Sequence, residues 1–465
     1  MKRIILKPGE EQRIILGHPW VYDNEIAKIL DGPGDKSAVL KHTDLVPGET
    51  ADIESQDKKY LGRAFINPNS KITGRIFSPS KDGVDKGFFK KRIRTAILRR
   101  MEVFDLYRES ARLVFAEADF LPALIIDRYA GWPLDEIENA VTNRPFTFDE
   151  VQQVLGSPQS WISIQFLCWA MDERREMIVQ ALDEVLSAPL FPGMTEALGK
   201  PTGIMEKSGA KVRELEGLPL REAIIGGNFP ANGIVIFENN LPFIIHPEEG
   251  QKTGHYLDQK INRGLAAGYV KNMQKPAASA AADPAPAETG AVVLDACCYT
   301  GGFSIHAARA GAMSVTCLDV SESVLETLEK NAALNGVSSR IKTVKTDVFE
   351  YLRTAQRKKE RYDLIVLDPP AFAKSRSSLD DAIRGYKEIN LRAIYLLKPG
   401  GVLVTCSCSQ AMDETRFKKM ITEAASDADR RLVQLDFRCQ SPDHPILMGY
   451  DESFYLKCGF YRVIG

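Results

Sequence analysis

The sequence predicts an α/β protein in which a parallel sheet follows a small β-rich module and a central α+β region. The chain has 465 residues, which is enough for about three domains. Its first 80 residues are short alternating runs separated by Gly, Pro, Asn and Asp, as in compact β modules. After residue 290, apolar runs alternate with helical patterns, which is typical of a parallel sheet covered on both faces.

The predicted domain boundaries lie where this pattern changes. Residues 1–80 form the β-rich module, residues 81–250 the α+β region and residues 251–465 the parallel-sheet domain. The stretch KPAASAAADPAPAETG, residues 275–290, is rich in Pro and Ala and lacks apolar periodicity. We expect it to be an exposed insertion in the last domain.

Composition excludes several classes of protein. With 44% hydrophobic and 26% charged residues, the chain is neither disordered nor fibrous. It lacks the ~18 consecutive apolar residues of a membrane span, and its amino terminus lacks the features of a signal peptide. The eight cysteines include no CxxC pair, which predicts reduced thiols and no structural zinc. We expect a soluble, cytoplasmic protein with no membrane partner and no metal.

Charge is distributed unevenly along the chain. The net charge of −2 combines +7 in residues 1–100 with −9 in the remainder. The densest basic stretch contains two phenylalanines and the cations Lys86, Lys90, Lys91, Arg92, Arg94, Arg99 and Arg100. Basic residues beside aromatic rings can bind a nucleic-acid backbone and stack on bases, so Lys90, Lys91 and Arg92 are candidate RNA-binding residues. A solvated helix face over a buried apolar stripe explains the same pattern.

Five strands are predicted in the last domain, at residues 292–296, 313–319, 341–347, 362–368 and 401–408. A helix is predicted to begin at Leu379. Four of the strands end at or next to a carboxylate, and these are Asp295, Asp319, Asp347 and Asp368. Ligands of such sheets bind at the carboxyl ends of the strands, which makes these residues candidate site residues. A single strand-end Asp is commonly only a helix cap.

The loop after the first of these strands, ACCYTGGF, indicates the ligand. Gly301 and Gly302 let the backbone approach a ligand before a helix begins. The loop lacks the GxGxxG of dinucleotide folds, and the chain lacks the phosphate-binding GxxxxGKS/T pattern. The pattern favours S-adenosylmethionine over NAD, with Asp295 near its amino-acid end, Asp319 at the ribose and Asp347 near adenine.

The last two predicted strand ends can carry chemistry. The fourth strand ends in LDPPAF, where Pro369 and Pro370 remove two backbone donors and Phe372 can stack on a flat ring. The fifth ends in TCSCS, where Cys408 would be nucleophilic as a thiolate. A thiolate that adds to carbon 6 of a pyrimidine makes carbon 5 nucleophilic towards a methyl donor. A strand stop and inert, apolar cysteines explain both motifs without chemistry.

These motifs resemble a known family, the ribosomal large subunit methyltransferase I type of S-adenosylmethionine-dependent 23S rRNA cytosine-5 methyltransferases. GHPWVYDNEI near the amino terminus is similar to the opening of a PUA domain, an RNA-binding β-barrel. EADFLPALIIDRY resembles the family's central motif, and GQKTGHYLDQKINR the segment that enters the catalytic domain. The catalytic part is similar in DACCYTGGF, LDVS, TDVFEYL, LDPPAF, RGYKEIN, TCSCS and SPDHPI.

The resemblance implies a fold and an activity. The fold is a Rossmann-like class I methyltransferase domain, preceded by a PUA-like β-barrel and a central α+β domain. The activity is formation of 5-methylcytosine in large-subunit ribosomal RNA through a covalent cysteine adduct, with Cys408 rather than Cys406 as the nucleophile. Asp368 is the second catalytic candidate, and the substrate-binding candidates in its loop are Pro369, Pro370 and Phe372. The cofactor-binding candidates are Tyr256, Asp258, Gln259, Asp295, Tyr299, Thr300, Gly301, Gly302, Asp319 and Asp347.

The sequence departs from the family pattern mainly outside the catalytic motifs. Lys260 stands where an Arg is usual, and Phe120 and Ala123 replace expected glycines. Residues 130–160 look like an insertion, as does the Pro/Ala-rich stretch at 275–290.

Two other functions stay open on sequence alone. The same cofactor and the carbonyls of the LDPPAF loop can serve methylation of an exocyclic amine, N2 of guanine or N6 of adenine, without a cysteine. An RNA-binding assembly factor with an idle methyltransferase fold would not bind S-adenosylmethionine. The sequence does not decide which cytosine is modified, whether the substrate is naked RNA or a ribosomal particle, or whether the protein is a monomer or a homodimer.

Overall fold

A computed structural model describes residues 1–32, 38–140, 145–248, 255–273, 290–372 and 379–464. Within these ranges the strands form three seven-stranded sheets that follow one another along the chain. The predicted insertion at 275–290 lies outside the described residues except for Gly290, and so do residues 250–254 of the GQKTGHYLDQKINR motif. No helix in the described ranges is long and apolar enough to cross a membrane.

The first sheet forms the amino-terminal module and encloses its own core. Its strands have the order β2-β7-β6-β5-β1-β3-β4, and the core contains Ile4, Val21 and Ile53. The elements are β1 (Lys2–Leu6), α1 (Glu11–Ile15), β2 (Trp20–Tyr22), β3 (Ile26–Asp31), β4 (Ala38–Leu40), β5 (Thr50–Glu54), β6 (Tyr60–Ile66) and β7 (Ile72–Ser78).

The central sheet has the order β12-β11-β10-β9-β13-β14, with β8 paired to β9, and carries helices on its surface. Its elements are α2 (Lys86–Met101), β8 (Ala111–Phe115), β9 (Leu124–Pro133), α3 (Leu134–Ala140), α4 (Phe148–Leu155), β10 (Gln159–Phe166), α5 (Trp169–Glu173), α6 (Arg175–Leu186), β11 (Gly203–Ser208), α7 (Val212–Leu215), β12 (Arg221–Gly227), β13 (Ile234–Glu238) and β14 (Leu241–Ile245).

The segment at 130–160 forms part of the central sheet. Gly131 in β9 pairs with Gln159 in β10 and with Ile236 in β13. A Cβ on Gly131 would lie 2.1 Å from the carbonyl oxygen of Val235, so no other residue fits there. The two ends of the segment therefore belong to the central sheet, and between them Ile137 of α3 and Val151 of α4 pack in one core with Val235 of β13.

The third sheet has the order β17-β16-β15-β18-β19-β21-β20. Its elements are α8 (Lys260–Met273), β15 (Val292–Ala296), α9 (Gly302–Arg309), β16 (Ser314–Asp319), α10 (Glu322–Leu334), β17 (Ile341–Lys345), α11 (Val348–Arg357), β18 (Tyr362–Leu367), α12 (Leu379–Leu396), β19 (Leu397–Ser407), α13 (Glu414–Asp427), β20 (Arg431–Arg438) and β21 (Lys457–Ile464).

The parallel sheet predicted from the sequence is confirmed, with one addition. Strands β15 to β19 are parallel, and their ends differ from the predicted ones by at most four residues. The addition is an antiparallel pair that the sequence pattern did not indicate: β21 runs antiparallel to both β19 and β20.

A single hydrophobic core joins the central and third sheets. It includes Ile236 and Phe243 from the central sheet together with Val293 from the third sheet and Ile305 from α9. Hydrogen bonds reinforce the contact, because Asn331 in α10 accepts from the backbone N–H of Ile244 at 2.7 Å. The two sheets therefore pack as one body, which holds the strand ends of the third sheet next to the central domain.

Candidate active site

The candidate site lies where four parallel strands end side by side. Asp319 is the last residue of β16 and Asp295 is the penultimate residue of β15. Asp368 follows β18, and Cys408 follows β19. Because the strands have the spatial order β16-β15-β18-β19, these four residues lie along one edge of the sheet.

The loop between β15 and α9 bends sharply to cross this edge. Cys297, Tyr299 and Gly301 have φ values of 64°, 50° and 89°, a region that favours glycine. The backbone N–H of Tyr299 donates to Oδ2 of Asp319 at 3.2 Å. The loop is held on its other side by Asn331, whose side-chain amide donates to the carbonyl of Thr300 at 3.0 Å.

Gly302 rests on a buried arginine that the sequence analysis did not single out. A Cβ on Gly302 would lie 2.4 Å from Nε of Arg263. The Nη1 group of Arg263 donates to both oxygens of Glu238 at 3.0 and 2.9 Å, and His255 Nε2 lies 3.0 Å from the same carboxylate. Burial alone would raise the pKa of Glu238, but Arg263 and His255 outweigh it and hold that pKa below its ordinary value.

Asp295 is a buried carboxyl with an unused acceptor. Its Oδ2 accepts a hydrogen bond from the Ser304 hydroxyl at 2.6 Å, whereas its buried Oδ1 has no hydrogen-bond partner among the described residues. Burial raises the pKa of Asp295 to about 7, and the Ser304 hydrogen bond opposes that rise. An acceptor of this kind below a glycine loop suits the ammonium end of a ligand.

The next two strand-end acids differ in their surroundings. Asp319 is half-buried, and its two oxygens accept from the backbone N–H groups of Tyr299 and Ser321. Asp347 is exposed, and one of its oxygens accepts from the N–H groups of Phe349 and Glu350 at the start of α11. Asp347 is thus a helix cap at the place where the sequence analysis expects adenine.

Gln259 contacts Asp368 at the end of β18. Its side-chain amide donates to Oδ2 of Asp368 at 3.0 Å, and its own oxygen accepts from Asn262 at 2.7 Å. Gln259 is a cofactor-binding candidate from the family resemblance, and its contact with Asp368 is visible only in the folded chain. In the same loop, Pro369 is buried and Pro370 is exposed.

Phe372 packs against other aromatic rings. Its centroid lies 4.6 Å from that of Tyr386 and 6.0 Å from that of Phe349. The Tyr386 hydroxyl lies 2.9 Å from Oγ of Ser409. Tyr386 therefore links the Asp368 loop to the segment after β19, and the part of Phe372 that faces these rings is closed to a substrate base.

The two cysteines at the end of β19 differ in access. Cys406 is fully buried, with its Sγ 3.2 Å from that of Cys458, and burial raises its pKa well above the ordinary value. Cys408 is half-buried. Of these two thiols, Cys408 is the one that a substrate can reach.

Tyr256 and Asp258 lie beside the cofactor loop and the carboxyl-terminal segment. The ring of Tyr256 meets that of Tyr299 edge to face, with centroids 5.1 Å apart. Oδ2 of Asp258 accepts from the Tyr455 hydroxyl at 2.6 Å, and its carbonyl accepts from the backbone N–H of Ser441 at 2.8 Å. Among the described residues, no group of three or more His, Cys, Asp or Glu side chains could hold a metal ion.

The basic candidates on α2 are only partly available to a ligand. Lys90 forms an ion pair with Glu184 at 2.7 Å, and Arg92 donates to the carbonyl of Phe77 at 3.2 Å. Lys91 is exposed.

Comparison with known proteins identifies the family. A sequence profile of PUA-like domains matches residues 4–79, and one of S-adenosylmethionine-dependent methyltransferases matches residues 223–447. Ribosomal RNA large subunit methyltransferase I of Shewanella denitrificans is 35% identical over 98% of both chains. The protein of the same name from Pseudoalteromonas atlantica is 34% identical, again over 98% of both. The chain belongs to this family.

Membership of the ribosomal RNA large subunit methyltransferase I family confirms the resemblance that the motifs indicated. The two profile matches confirm the PUA-like and methyltransferase folds and S-adenosylmethionine as the cofactor. A solved structure described as a methyltransferase complexed with S-adenosylhomocysteine shares the fold. It has a TM-score of 0.72 at 20% identity, and the match covers 99% of this chain and 100% of that one.

The site residues of this family member fit the cofactor. Because Gly301 and Gly302 lack a Cβ, the loop packs directly on Leu328 and on Arg263 where α9 begins. The unpaired oxygen of Asp295 offers an acceptor for an ammonium group, and Asp319 ends the second strand, where carboxylates meet ribose hydroxyls. When bound, S-adenosylmethionine supplies an electrophilic methyl group at this edge of the sheet.

Proposed function

We propose that the protein methylates carbon 5 of a cytosine in 23S ribosomal RNA, with Cys408 as a covalent nucleophile and S-adenosylmethionine as the methyl donor. The observation that carries the proposal is the half-buried thiol of Cys408, which lies one strand away from Asp368 at the same edge of the sheet. The curated relatives support the RNA class, because they are named ribosomal RNA large subunit methyltransferase I.

Each proposed group has a defined role in this chemistry. The Cys408 thiolate adds to carbon 6, which makes carbon 5 an enamine carbon that can accept a methyl group. A base then removes the proton from carbon 5, and the bond between carbon 6 and sulfur breaks to release Cys408. Asp368 binds the edge of the ring that carries N3 and the exocyclic amine, where the pyrimidine gains and loses charge.

The environment of Asp368 supports that role. Gln259 donates to one of its oxygens and is itself fixed by Asn262. A carboxylate whose orientation is set by buried neighbours loses less freedom when it binds a base. Pro369, Pro370 and the exposed part of Phe372 would line the same pocket.

The cofactor would lie over the glycine loop on the other side of the site. We infer that Asp295, Tyr299, Thr300, Gly301 and Gly302 surround its methionine part. Asp319 would bind the ribose and Asp347 would lie near adenine, while Tyr256 and Asp258 would close the site from the segment before α8. The contact of Tyr256 with Tyr299 supports this placement.

RNA would be bound by the amino-terminal module. We infer that residues 1–80 are an RNA-binding domain, that residues 81–250 join it to the catalytic unit and that residues 251–465 catalyse methyl transfer. The +7 charge of residues 1–100 supports this division of labour. Lys90, Lys91 and Arg92 extend the basic surface, with Lys91 the most exposed of the three.

The test compares Cys408→Ala with the matched control Cys439→Ala, which alters another half-buried thiol that the proposed chemistry does not use. We expect Cys408→Ala to lower 5-methylcytosine formation in 23S ribosomal RNA by roughly 10³-fold or more, because the covalent step is lost. S-adenosylmethionine affinity, measured by calorimetry, stays unchanged. The product is identified by mass spectrometry of the digested nucleosides, and Cys439→Ala keeps full activity.

Three results would each contradict the proposal. Full activity of Cys408→Ala would exclude the covalent mechanism. N2-methylguanine or N6-methyladenine as the product would show that the LDPPAF loop serves an exocyclic amine. An absence of S-adenosylmethionine binding by the wild-type protein would favour a non-catalytic assembly factor.

A further inference from the structure

Lys457 is a buried lysine next to the proposed nucleophile. It is the first residue of β21, its Cα pairs with that of Ser407 in β19, and only 1% of it is exposed. Its ammonium group donates to two backbone carbonyls, those of Ser409 at 2.7 Å and Tyr455 at 2.8 Å. A lysine is almost never buried this fully unless it has charged or polar partners.

The contacts of Lys457 enclose Cys408 along the chain. Ser407, which faces Lys457 across the strand pair, precedes Cys408, and Ser409, whose carbonyl accepts from the ammonium group, follows it. The backbone of Lys457 thus pairs with the residue before the thiol, and its side chain holds the residue after it. Two carbonyl partners are neutral, so they leave the positive charge of Lys457 without full compensation.

The charges around Lys457 identify its counterion. Burial lowers the pKa of Lys457 to about 8, and negative charge on Cys408 and on Asp413 opposes that change. A thiolate at Cys408 and the ammonium group of Lys457 therefore stabilise each other. This mutual effect is the arrangement that lowers thiol pKa values in reactive cysteines.

Two tyrosines among the described residues also interact with Cys408, and neither carries a positive charge. Tyr256 and Tyr386 both interact with it electrostatically, and burial raises the pKa of each hydroxyl, so they are neutral near pH 7. Asp368, one strand away, is an acid and would repel a thiolate. Lys457 supplies positive charge next to Cys408.

We propose that Lys457 is a positioning residue that holds Cys408 in place and favours its thiolate form. The inference rests on the proposed role of Cys408 as nucleophile. Lys457 does not touch the reacting atoms: it acts through the charge and the backbone of the Cys408 segment.

The test measures the reactivity of the Cys408 thiol directly, without RNA or cofactor. Full-length wild type, Lys457→Met, Lys457→Gln and Lys457→Arg are alkylated with iodoacetamide from pH 6 to 10, and modification of Cys408 is followed by peptide mass spectrometry. Lys398→Met is the matched control, because Lys398 lies at the opposite end of β19 and pairs with Asp363. Alkylation of Cys439 in the same samples reports general access.

We expect loss of the charge to move the midpoint of Cys408 alkylation upwards by about one pH unit. At pH 7 the thiolate is then about tenfold scarcer but somewhat more nucleophilic, so alkylation slows roughly fourfold in Lys457→Met. Lys457→Arg keeps the charge and restores most of the wild-type profile. Lys398→Met and the Cys439 signal stay unchanged.

An unchanged Cys408 profile in Lys457→Met or Lys457→Gln would overturn the proposal. If the Met variant does not fold, the Gln variant decides, because its amide can still donate to one carbonyl while carrying no charge. A lowered melting temperature with an unchanged profile would show a purely structural role. The nucleophile itself is tested separately by Cys408→Ala, so an overturned Lys457 proposal leaves the proposed methylation intact.

Discussion

Asp295 is a carboxyl group that has one oxygen bonded within the protein and one oxygen available to a ligand. It is buried, it uses one oxygen for Ser304, and its pKa is raised to about 7 by burial. In the free protein near neutral pH, a large fraction of this group is protonated. A cationic ligand that meets the unpaired oxygen would favour the ionised form, so cofactor binding and deprotonation of Asp295 are coupled.

This environment makes the stability of the free protein depend on pH. An unfolded Asp has a pKa near 3.9, so between about pH 4 and 7 the folded protein binds more protons at Asp295 than the unfolded chain does. The free energy of unfolding should therefore fall as pH rises through this window. In Asp295→Asn that contribution is absent, and the decline should be shallower by up to about 1.4 kcal/mol per pH unit.

Urea unfolding of both proteins without cofactor at half-unit steps from pH 4.5 to 8 gives the comparison. Parallel curves would mean that Asp295 keeps an ordinary pKa in the folded state. Ser304→Ala is an informative companion, because it removes the hydrogen bond that opposes the rise in the Asp295 pKa.

At the residue level, the sequence predicts motifs that are formed by neighbouring residues. It does not predict contacts between residues that lie far apart in the chain. Strand-end acids and the TCSCS motif are visible in the sequence because they recur after apolar runs. The contact of Gln259 with Asp368 joins residues 109 positions apart, and Lys457 reads as an ordinary strand lysine until β21 places it opposite Ser407. No periodicity could have indicated either contact.

At the level of elements, the turn between β8 and β9 carries backbone strain. Phe120 and Ala123 have φ values of 55° and 59°, and both stand where the family resemblance expects glycine. The left-handed region disfavours residues with a Cβ by roughly 1–2 kcal/mol. The structure thus explains the family preference and shows that this chain keeps the turn without the glycines.

Ala123→Gly should relieve this strain. We expect the free energy of unfolding to rise by about 0.5 kcal/mol, because the relief exceeds the entropy that a glycine adds to the unfolded chain. Chemical denaturation measures the change. Ala118→Gly is the matched control in the same turn: its φ is not in the left-handed region, so glycine there should lower stability by roughly 1 kcal/mol. Equal losses in both variants would refute the strain at Ala123.

The β20–β21 pair marks the limit of strand prediction from periodicity. The residues of β20 are exposed or half-buried along its whole length, as expected of a strand at a sheet edge. Six of the eight residues of β21 are buried, but 18 residues with a single short 3-10 helix separate the two strands. The parallel strands were predictable because each is followed by a helix with its own pattern, whereas this antiparallel pair lacks that context.

At the level of the whole molecule, buried charges connect the amino-terminal module to the central domain. Arg75 in β7 donates to Glu117 at 2.9 Å and to Glu216 at 3.0 Å, and the indole N–H of Trp20 donates to Glu117 at 2.8 Å. Burial alone would lower the pKa of Arg75, but the two carboxylates outweigh it and raise that pKa. The module is therefore held in a fixed position and does not hang on a free linker.

Glu117→Gln should weaken that attachment. It removes one of the two charges that compensate the fully buried Arg75, and breaking a buried pair costs about 3 kcal/mol. We expect calorimetry to show the amino-terminal module unfolding in a separate, earlier transition. Glu138→Gln, an exposed change in α3, should leave a single transition. One cooperative transition in Glu117→Gln would show that the other contacts between the domains suffice.

The core that runs from the central sheet into the third sheet has a consequence for dissecting the protein. A gene fragment that begins at residue 251 would discard Ile236 and Phe243 and leave Val293 and Ile305 with part of their packing surface open to water. Such a fragment would aggregate on expression, and its failure would say nothing about the catalytic residues. The methyltransferase profile itself begins at residue 223, inside the central sheet. The segment that the methyltransferase profile matches therefore includes strands of the central sheet, which lie outside the parallel sheet.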